Sequence, residues 1–215
     1  MNKNPEFHFD FGSPNAYLVH KVIPEIELRT GAAFTYVPVL LGGIFKATNN
    51  KPPMVAFAEV KPKTAYIRLE IQRFVKKHGL DKFAFNPNFP VNTLQIMRGV
   101  VAAEMEGVFM PYVEAMFAGM WETGRKLDDP AVIAEILAAA GLDAQKLMAR
   151  AQDPDVKAKL VANTEATVAR GTFGIPTFFV GTEIFFGKDT LRDLEDEITH
   201  QQQAAAEQEP VREFP

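Results

Sequence analysis

The chain has 215 residues, 47% of them apolar and none of them cysteine. That length supports roughly one or two domains with a core that needs no staple. The missing cysteine excludes a disulfide framework, a thiol nucleophile, an iron–sulfur centre and any Cys-ligated zinc, and 23 basic against 27 acidic residues, a net charge of −4, argue against a nucleic-acid partner.

Residues 7–11 alternate Phe7, Phe9 and Phe11 with His8 and Asp10, a period of two that predicts a strand. Gly12-Ser13-Pro14 follows, as a turn residue, an N-cap and a proline at the first helical position. The spacing of Ala16, Tyr17, Val19, Val22, Ile23 and Ile26 predicts a helix closed near Gly31, with a kink at Pro24. Residues 34–40 are aromatic and β-branched and predict a second strand. The start is therefore β–α–β, which implies parallel strands.

From about Gly42 to Gly171 the periodicity is helical. Pro62 opens a segment closed by Gly79. Thr93 caps one closed by Gly107, and residues 109–123 form one closed by Gly124. Asp129-Pro130 opens one closed by Gly141, Asp143 a short one, and Asp153-Pro154 the last, closed by Gly171. Thr177–Val180 and Glu183–Phe186 then predict two short strands around a Gly181-Thr182 turn. Asp189 is expected to cap a final helix carrying Leu191, Leu194 and Ile198, with a Gln- and Ala-rich tail from Thr199 that extends it a little and then frays. No apolar stretch approaches ~20 residues, and the polar start lacks the core of a signal peptide. A soluble cytoplasmic protein without a membrane partner is expected.

Without the central helices the order is βαβ–αββα, that of a thioredoxin-like fold. The fold class predicted is α/β, thioredoxin-like with a large all-helical insertion. Residues 1–41 and 172–200 form the parent domain, with the helix at about 154–170 packing on it. Residues 42–171 form the insertion, and 201–215 a flexible tail.

Four places suit chemistry. Ser13 lies where a strand ends and a helix begins, and the free N–H groups there favour an anion; from spacing alone a plain N-cap accounts for it more readily. Ile175-Pro176 precedes a strand, as an ordinary trans proline or as a cis bond that exposes the Ile175 main chain to a peptide-like ligand. Phe186, Gly187, Lys188 and Asp189 form either a turn and cap or a seat for the charged end of a ligand. The stretch from Gly42 through Lys46 to Asn50 and Lys51 is a solvated loop with a short helix, or holds anionic groups. The four histidines show no metal-ligand spacing, so no metal site is expected. His8 reads as a hydrogen-bonded strand residue.

Phe9-Asp10-Phe11-Gly12-Ser13-Pro14 resembles the opening of 2-hydroxychromene-2-carboxylate isomerases and kappa-class glutathione transferases, both of the DsbA-like branch of the thioredoxin fold. Gly43-Ile44-Phe45-Lys46 with Asn50-Lys51-Pro52-Pro53, then Phe89-Pro90-Val91-Asn92-Thr93, Gly174-Ile175-Pro176-Thr177 and Phe186-Gly187-Lys188-Asp189 continue the resemblance in order. It implies glutathione as cofactor, with Ser13 as the catalytic hydroxyl facing its sulfur. By the same resemblance Pro14, Asn15, Asn50, Ile175, Pro176, Phe186, Gly187, Lys188 and Asp189 contact glutathione. Lys46, Phe89 and Asn92 contact an aromatic carboxylate substrate. The implied activity is glutathione-dependent isomerisation in aromatic catabolism, by a homodimer. A kappa-like transferase or peroxidase is the alternative, and a non-catalytic binding module the third reading. Thr190 stands where relatives often carry Arg, and Phe89 where some isomerases carry Tyr.

Overall fold

A computed structural model describes residues 4–207. Its sheet has four strands, β1 (Glu6–Phe9), β2 (Thr35–Pro38), β3 (Thr177–Val180) and β4 (Glu183–Phe186), in the order β2-β1-β3-β4. β1 runs parallel to β2 and antiparallel to β3, which pairs antiparallel with β4. This is the arrangement expected of the βαβ–αββα plan. Phe7 sits opposite both Tyr36 and Phe178 in register, and its ring lies 4.9 Å and 5.6 Å from theirs. Alternation thus puts one aromatic face of β1 into the core, where offset and edge-on ring pairs add to simple burial.

β1 is shorter than residues 7–11, because its next carbonyls are taken elsewhere. The Phe9 oxygen still accepts from Val39 N–H at 3.1 Å, but the Asp10 oxygen accepts from Ser13 N–H at 3.1 Å. The Phe11 oxygen accepts from the Trp121 indole at 2.8 Å. β2 ends early for a similar reason. Leu40 N–H donates to Thr164 Oγ1 and Leu41 N–H to Asp10 Oδ2, so neither continues the ladder.

Helix α1 (Pro14–Thr30) joins β1 to β2; it is continuous across Pro24 and ends on Gly31, whose φ of 69° is a left-handed closure. The insertion holds α2 (Leu41–Thr48), α3 (Pro53–Ala56), α4 (Lys61–His78), α5 (Leu94–Met105), α6 (Phe109–Trp121), α7 (Pro130–Ala139), α8 (Ala144–Arg150) and α9 (Pro154–Ala169). α5 is the helix around which α6, α8 and α9 gather, and Ile96, Met97, Val100 and Val101 are fully buried on it. Its Gly99 is required by a close approach. A Cβ there would lie 2.0 Å from the Tyr112 oxygen, whose hydroxyl donates to Ile96 O at 3.1 Å. The core runs without a break from the sheet into the insertion, and Phe117 of α6 reaches the rings of Phe9, Phe11, Tyr17 and His20. α9 packs on β2, with Asn163 Nδ2 donating to Pro38 O at 3.0 Å.

Two expectations need correction. Asp189 does not cap the final helix. It lies inside a 3₁₀ turn, Lys188–Thr190, and α10 begins after it at Leu191. Gly187, at φ 88°, makes the entry to that turn, a backbone that suits a residue without Cβ. α10 (Leu191–Glu207) also continues through residues expected to belong to the tail, since Gln201 Nε2 donates to Val180 O at 3.0 Å and Gln202 Nε2 to Thr30 O at 3.1 Å. The remainder of that expected tail, 208–215, lies outside the described residues, as do residues 1–3. Among the described residues no helix is long and apolar enough to cross a membrane.

Candidate active site

Ser13 caps α1 and ties it to a distant segment. Its Oγ accepts from Ala16 N–H at 3.2 Å as an N-cap. The same hydroxyl donates to Ile175 O at 3.1 Å, linking the start of α1 to the segment before β3. Ser13 is 4% exposed. About three turns of α1 before its first carboxylate, Glu25, this end of the helix carries the positive end of the macrodipole. The neighbouring Asn15 Oδ1 is buried and, among the described residues, has no hydrogen-bond partner.

Residues 173–176 form the strip to which the other blocks attach. Asn50 Nδ2 donates to Phe173 O at 2.8 Å. The Phe173 ring lies 4.5 Å from that of Phe186, and a Cβ on Gly174 would lie 2.9 Å from the same Phe186 ring. Gly187 N–H donates to Pro176 O at 2.9 Å. The Ile175-Pro176 peptide is cis, and Phe89-Pro90 is cis as well, which the sequence reading did not anticipate. Ser13, Asn50, Ile175, Pro176, Phe186 and Gly187 are therefore one contiguous group.

Lys188 and Asp189 continue from Gly187 but face a second space. Lys188 is 4% exposed, its ammonium paired with the Asp189 carboxylate and 5.5 Å from the Phe74 ring. Both line a cavity of about 490 Å³ between α1, α4 and α10, with Arg29, Arg73, Lys77 and Glu195. Ser13 does not line it. Thr190 donates locally to Gly187 O at 3.1 Å.

The three residues assigned to substrate lie on α2 and in the loop before α5. Lys46 is exposed on α2. Phe89 lies 5.7 Å from the Trp121 ring. The Asn92 Oδ1 accepts from Leu94 N–H at 3.1 Å and so starts α5.

Asp10 is the residue that sequence reasoning passed over, counting it only as a step in the strand alternation. It is fully buried. Its Oδ1 accepts from Gly12 N–H at 2.8 Å, and its Oδ2 accepts from Leu41 N–H at 2.8 Å and from Thr93 Oγ1 at 3.1 Å. Burial pushes its carboxyl above the usual range, against the pull of these three bonds. A carboxylate between two phenylalanines of a strand was the available signal, since such a group is seldom buried unpaired.

His8 behaves as expected of a bonded strand residue, with Nε2 at 2.8 Å from Glu6 Oε2; burial lowers its pKa. Beneath α1, His20 Nδ1 lies 2.9 Å from the Tyr36 hydroxyl, and its Nε2 is 3.0 Å from Glu114. His20, then Lys21, hold the Glu114 carboxyl down at about 2.

The profile of the DSBA-like thioredoxin domain matches residues 6–199. The 2-hydroxychromene-2-carboxylate isomerase of Pseudomonas putida is 26% identical over 190 residues, covering 88% of this chain and 91% of the relative. Glutathione S-transferase kappa 1 of Rattus norvegicus is 28% identical over 202 residues, covering 88% of each chain. The structure of a selenomethionine 2-hydroxychromene-2-carboxylate isomerase superposes with a TM-score of 0.80, covering 95% of this chain and 98% of that one at 24% identity.

Proposed function

The chain belongs to the DSBA-like thioredoxin family, and from that membership we propose that it is a glutathione-dependent isomerase acting on 2-hydroxychromene-2-carboxylate or a close aromatic carboxylate. The observation that carries this reading is the Ser13 hydroxyl, held at the N-terminus of α1 and bonded to the Ile175 main chain. The chain has no thiol of its own, so a sulfur nucleophile comes from a ligand.

The residues present fit that ligand. Ser13 supplies a hydroxyl whose bond to Ile175 O is exchangeable for one to a sulfur. The α1 N-terminus favours the anionic form of a thiol beside it, as it does for thiolates in related settings. Ile175 and the neighbouring strip offer main-chain groups to an extended peptide. Asn50 and the Phe186-Gly187 turn border the same strip. Asp189, exposed and paired with Lys188 at the edge of the separate cavity, is assigned in this reading to the ligand's ammonium group. When bound, glutathione supplies a nucleophilic thiolate for a conjugated carbon and is released unconsumed after ring opening and bond rotation. Ser13 holds the sulfur's charge before addition and again on release. Lys46 is assigned to the substrate carboxylate, with Phe89 and Asn92 bordering the ring. The reading includes a cytoplasmic homodimer, which sedimentation over a range of concentrations tests.

A transferase reading has support of its own in the kappa relative. One assay separates the two. Chromene absorbance is followed with and without glutathione, and free thiol is titrated at the end. The isomerase reading expects turnover that depends on glutathione with the thiol recovered. Turnover indifferent to glutathione overturns it, and stoichiometric thiol loss establishes the transferase.

A further inference from the structure

We propose that Asp10 is a positioning residue that fixes the spacing between the Ser13 turn, helix α2 and the loop at residues 89–93, and so aligns the thiol half of the site with the substrate half. The proposal rests on the function proposed above and adds a residue to that site.

The argument starts from what Asp10 holds. Each of its three bonds ends on a different piece of chain. Gly12 N–H belongs to the turn that carries Ser13. Leu41 N–H opens α2, which carries Lys46 and leads to Asn50. Thr93 Oγ1 closes the loop that holds Phe89 and Asn92. These are the three sequence blocks that the site draws from before residue 100, and no other single side chain among the described residues bonds to all three.

The fit is close as well as polar. Leu40, the N-cap residue of α2, makes no side-chain cap, so the Asp10 carboxylate satisfies an N–H that the helix leaves open. A Cβ on Gly12 would lie 3.1 Å from Thr93 Cγ2 and 3.3 Å from Asp10 Oδ1. The turn, the carboxylate and the loop are thus packed with no slack, and a shift in one carries to the others. A carboxylate is also the side chain that this position demands. It accepts on both oxygens, whereas an amide of the same shape turns an N–H₂ toward one of the donors.

Two variants and two readouts test this. Thr93→Val cuts only the tie to the 89–93 loop. It is expected to raise the KM for the chromene carboxylate about 10-fold, the scale of one lost hydrogen bond. Its kcat and its glutathione affinity by calorimetry stay within about twofold on the same estimate. Asp10→Asn disturbs both halves and is expected to lower kcat/KM about 100-fold, the scale of a small misplacement. A role confined to stability would instead reduce the number of active molecules. The kcat would fall with the active fraction while KM and glutathione affinity stayed at the wild-type values, and that result overturns the proposal.

Amide hydrogen exchange gives a readout free of the reaction. Asp10→Asn is expected to speed exchange at Gly12 and Leu41, the two amides it accepts from, and to leave the interiors of α5 and β3 as in wild type. Uniform acceleration along the chain overturns the proposal. If the wild-type protein shows no glutathione-dependent turnover, the functional reading fails, and the exchange pattern decides the role of Asp10 on its own.

Discussion

The corner where β1 meets α1 and the segment 51–69 are built in opposite ways. At the corner several polar groups are answered by groups from distant parts of the chain. Asp10, Ser13 and Trp121 bond to residues 31 to 162 positions away, and Phe7, Phe9 and Phe11 are wholly buried. Segment 51–69 is exposed almost throughout, with Met54 and Val55 each 61% and Leu69 41% exposed. Both lie next to site residues, Ser13 in one case and Asn50 in the other. The difference shows that position relative to the site does not decide how tightly a segment is held. The number of long-range partners does.

The largest test of this contrast removes the ring on which the corner rests. Phe117→Ala opens a cavity beneath Phe9, Phe11, Tyr17 and His20, and is expected to cost about 3–5 kcal/mol in urea unfolding. A loss under 1 kcal/mol would mean that the corner is not the anchored region described above. Ser13→Ala comes next, and separates chemistry from packing. It removes the hydroxyl bond to a charged sulfur and is expected to lower kcat/KM about 10- to 100-fold. The lost N-cap costs about 1 kcal/mol of stability besides. Unchanged turnover with glutathione would leave Ser13 as a cap alone.

A smaller effect is expected from the polar group under α1. Glu114 has its carboxyl lowered in the folded protein to about 2 from 4.5, chiefly by His20 and then Lys21. A lowered carboxyl stabilises above its unfolded value and loses that contribution as pH falls toward its folded value. Glu114→Gln is therefore expected to flatten the fall in melting temperature between pH 4.5 and 2, and to leave the two melting curves most different near neutrality. Half-exposure of Glu114 limits the size of the effect. At the bottom of the scale, Leu69→Ala in the exposed segment is expected to change stability by less than about 0.5 kcal/mol. A loss in the range of Phe117→Ala would show that this segment is held in place after all, and would erase the contrast.

The sequence showed most of the architecture because its elements are marked locally. Pro starts, Gly stops and aromatic alternation each act within a few residues, and the strands and the helices they mark are all present. Element ends were less legible because remote groups set them. The end of β1 depends on Trp121, and the start of α2 depends on Asp10, 31 residues before it. The 3₁₀ turn at Lys188 follows from Gly187 N–H bonding Pro176 O, a contact between two turns that spacing does not reveal. The grouping of Ser13, Asn50, Ile175 and Phe186 was legible in part, because short blocks marked each of them in the sequence. Asp10 was not, because its three partners meet only once three segments have come together.

Trp121 gives the corner a further property. It is the only tryptophan in the chain, is 1% exposed, and spends its indole N–H on the Phe11 carbonyl while its ring faces Phe89. The chain therefore carries one indole fluorophore, which can be excited apart from its four tyrosines and is placed between the Ser13 turn and the side assigned to substrate. Its emission should lie toward the blue, and any occupant that moves either neighbour should change its intensity or wavelength, so that ligand entry can be followed with no label added.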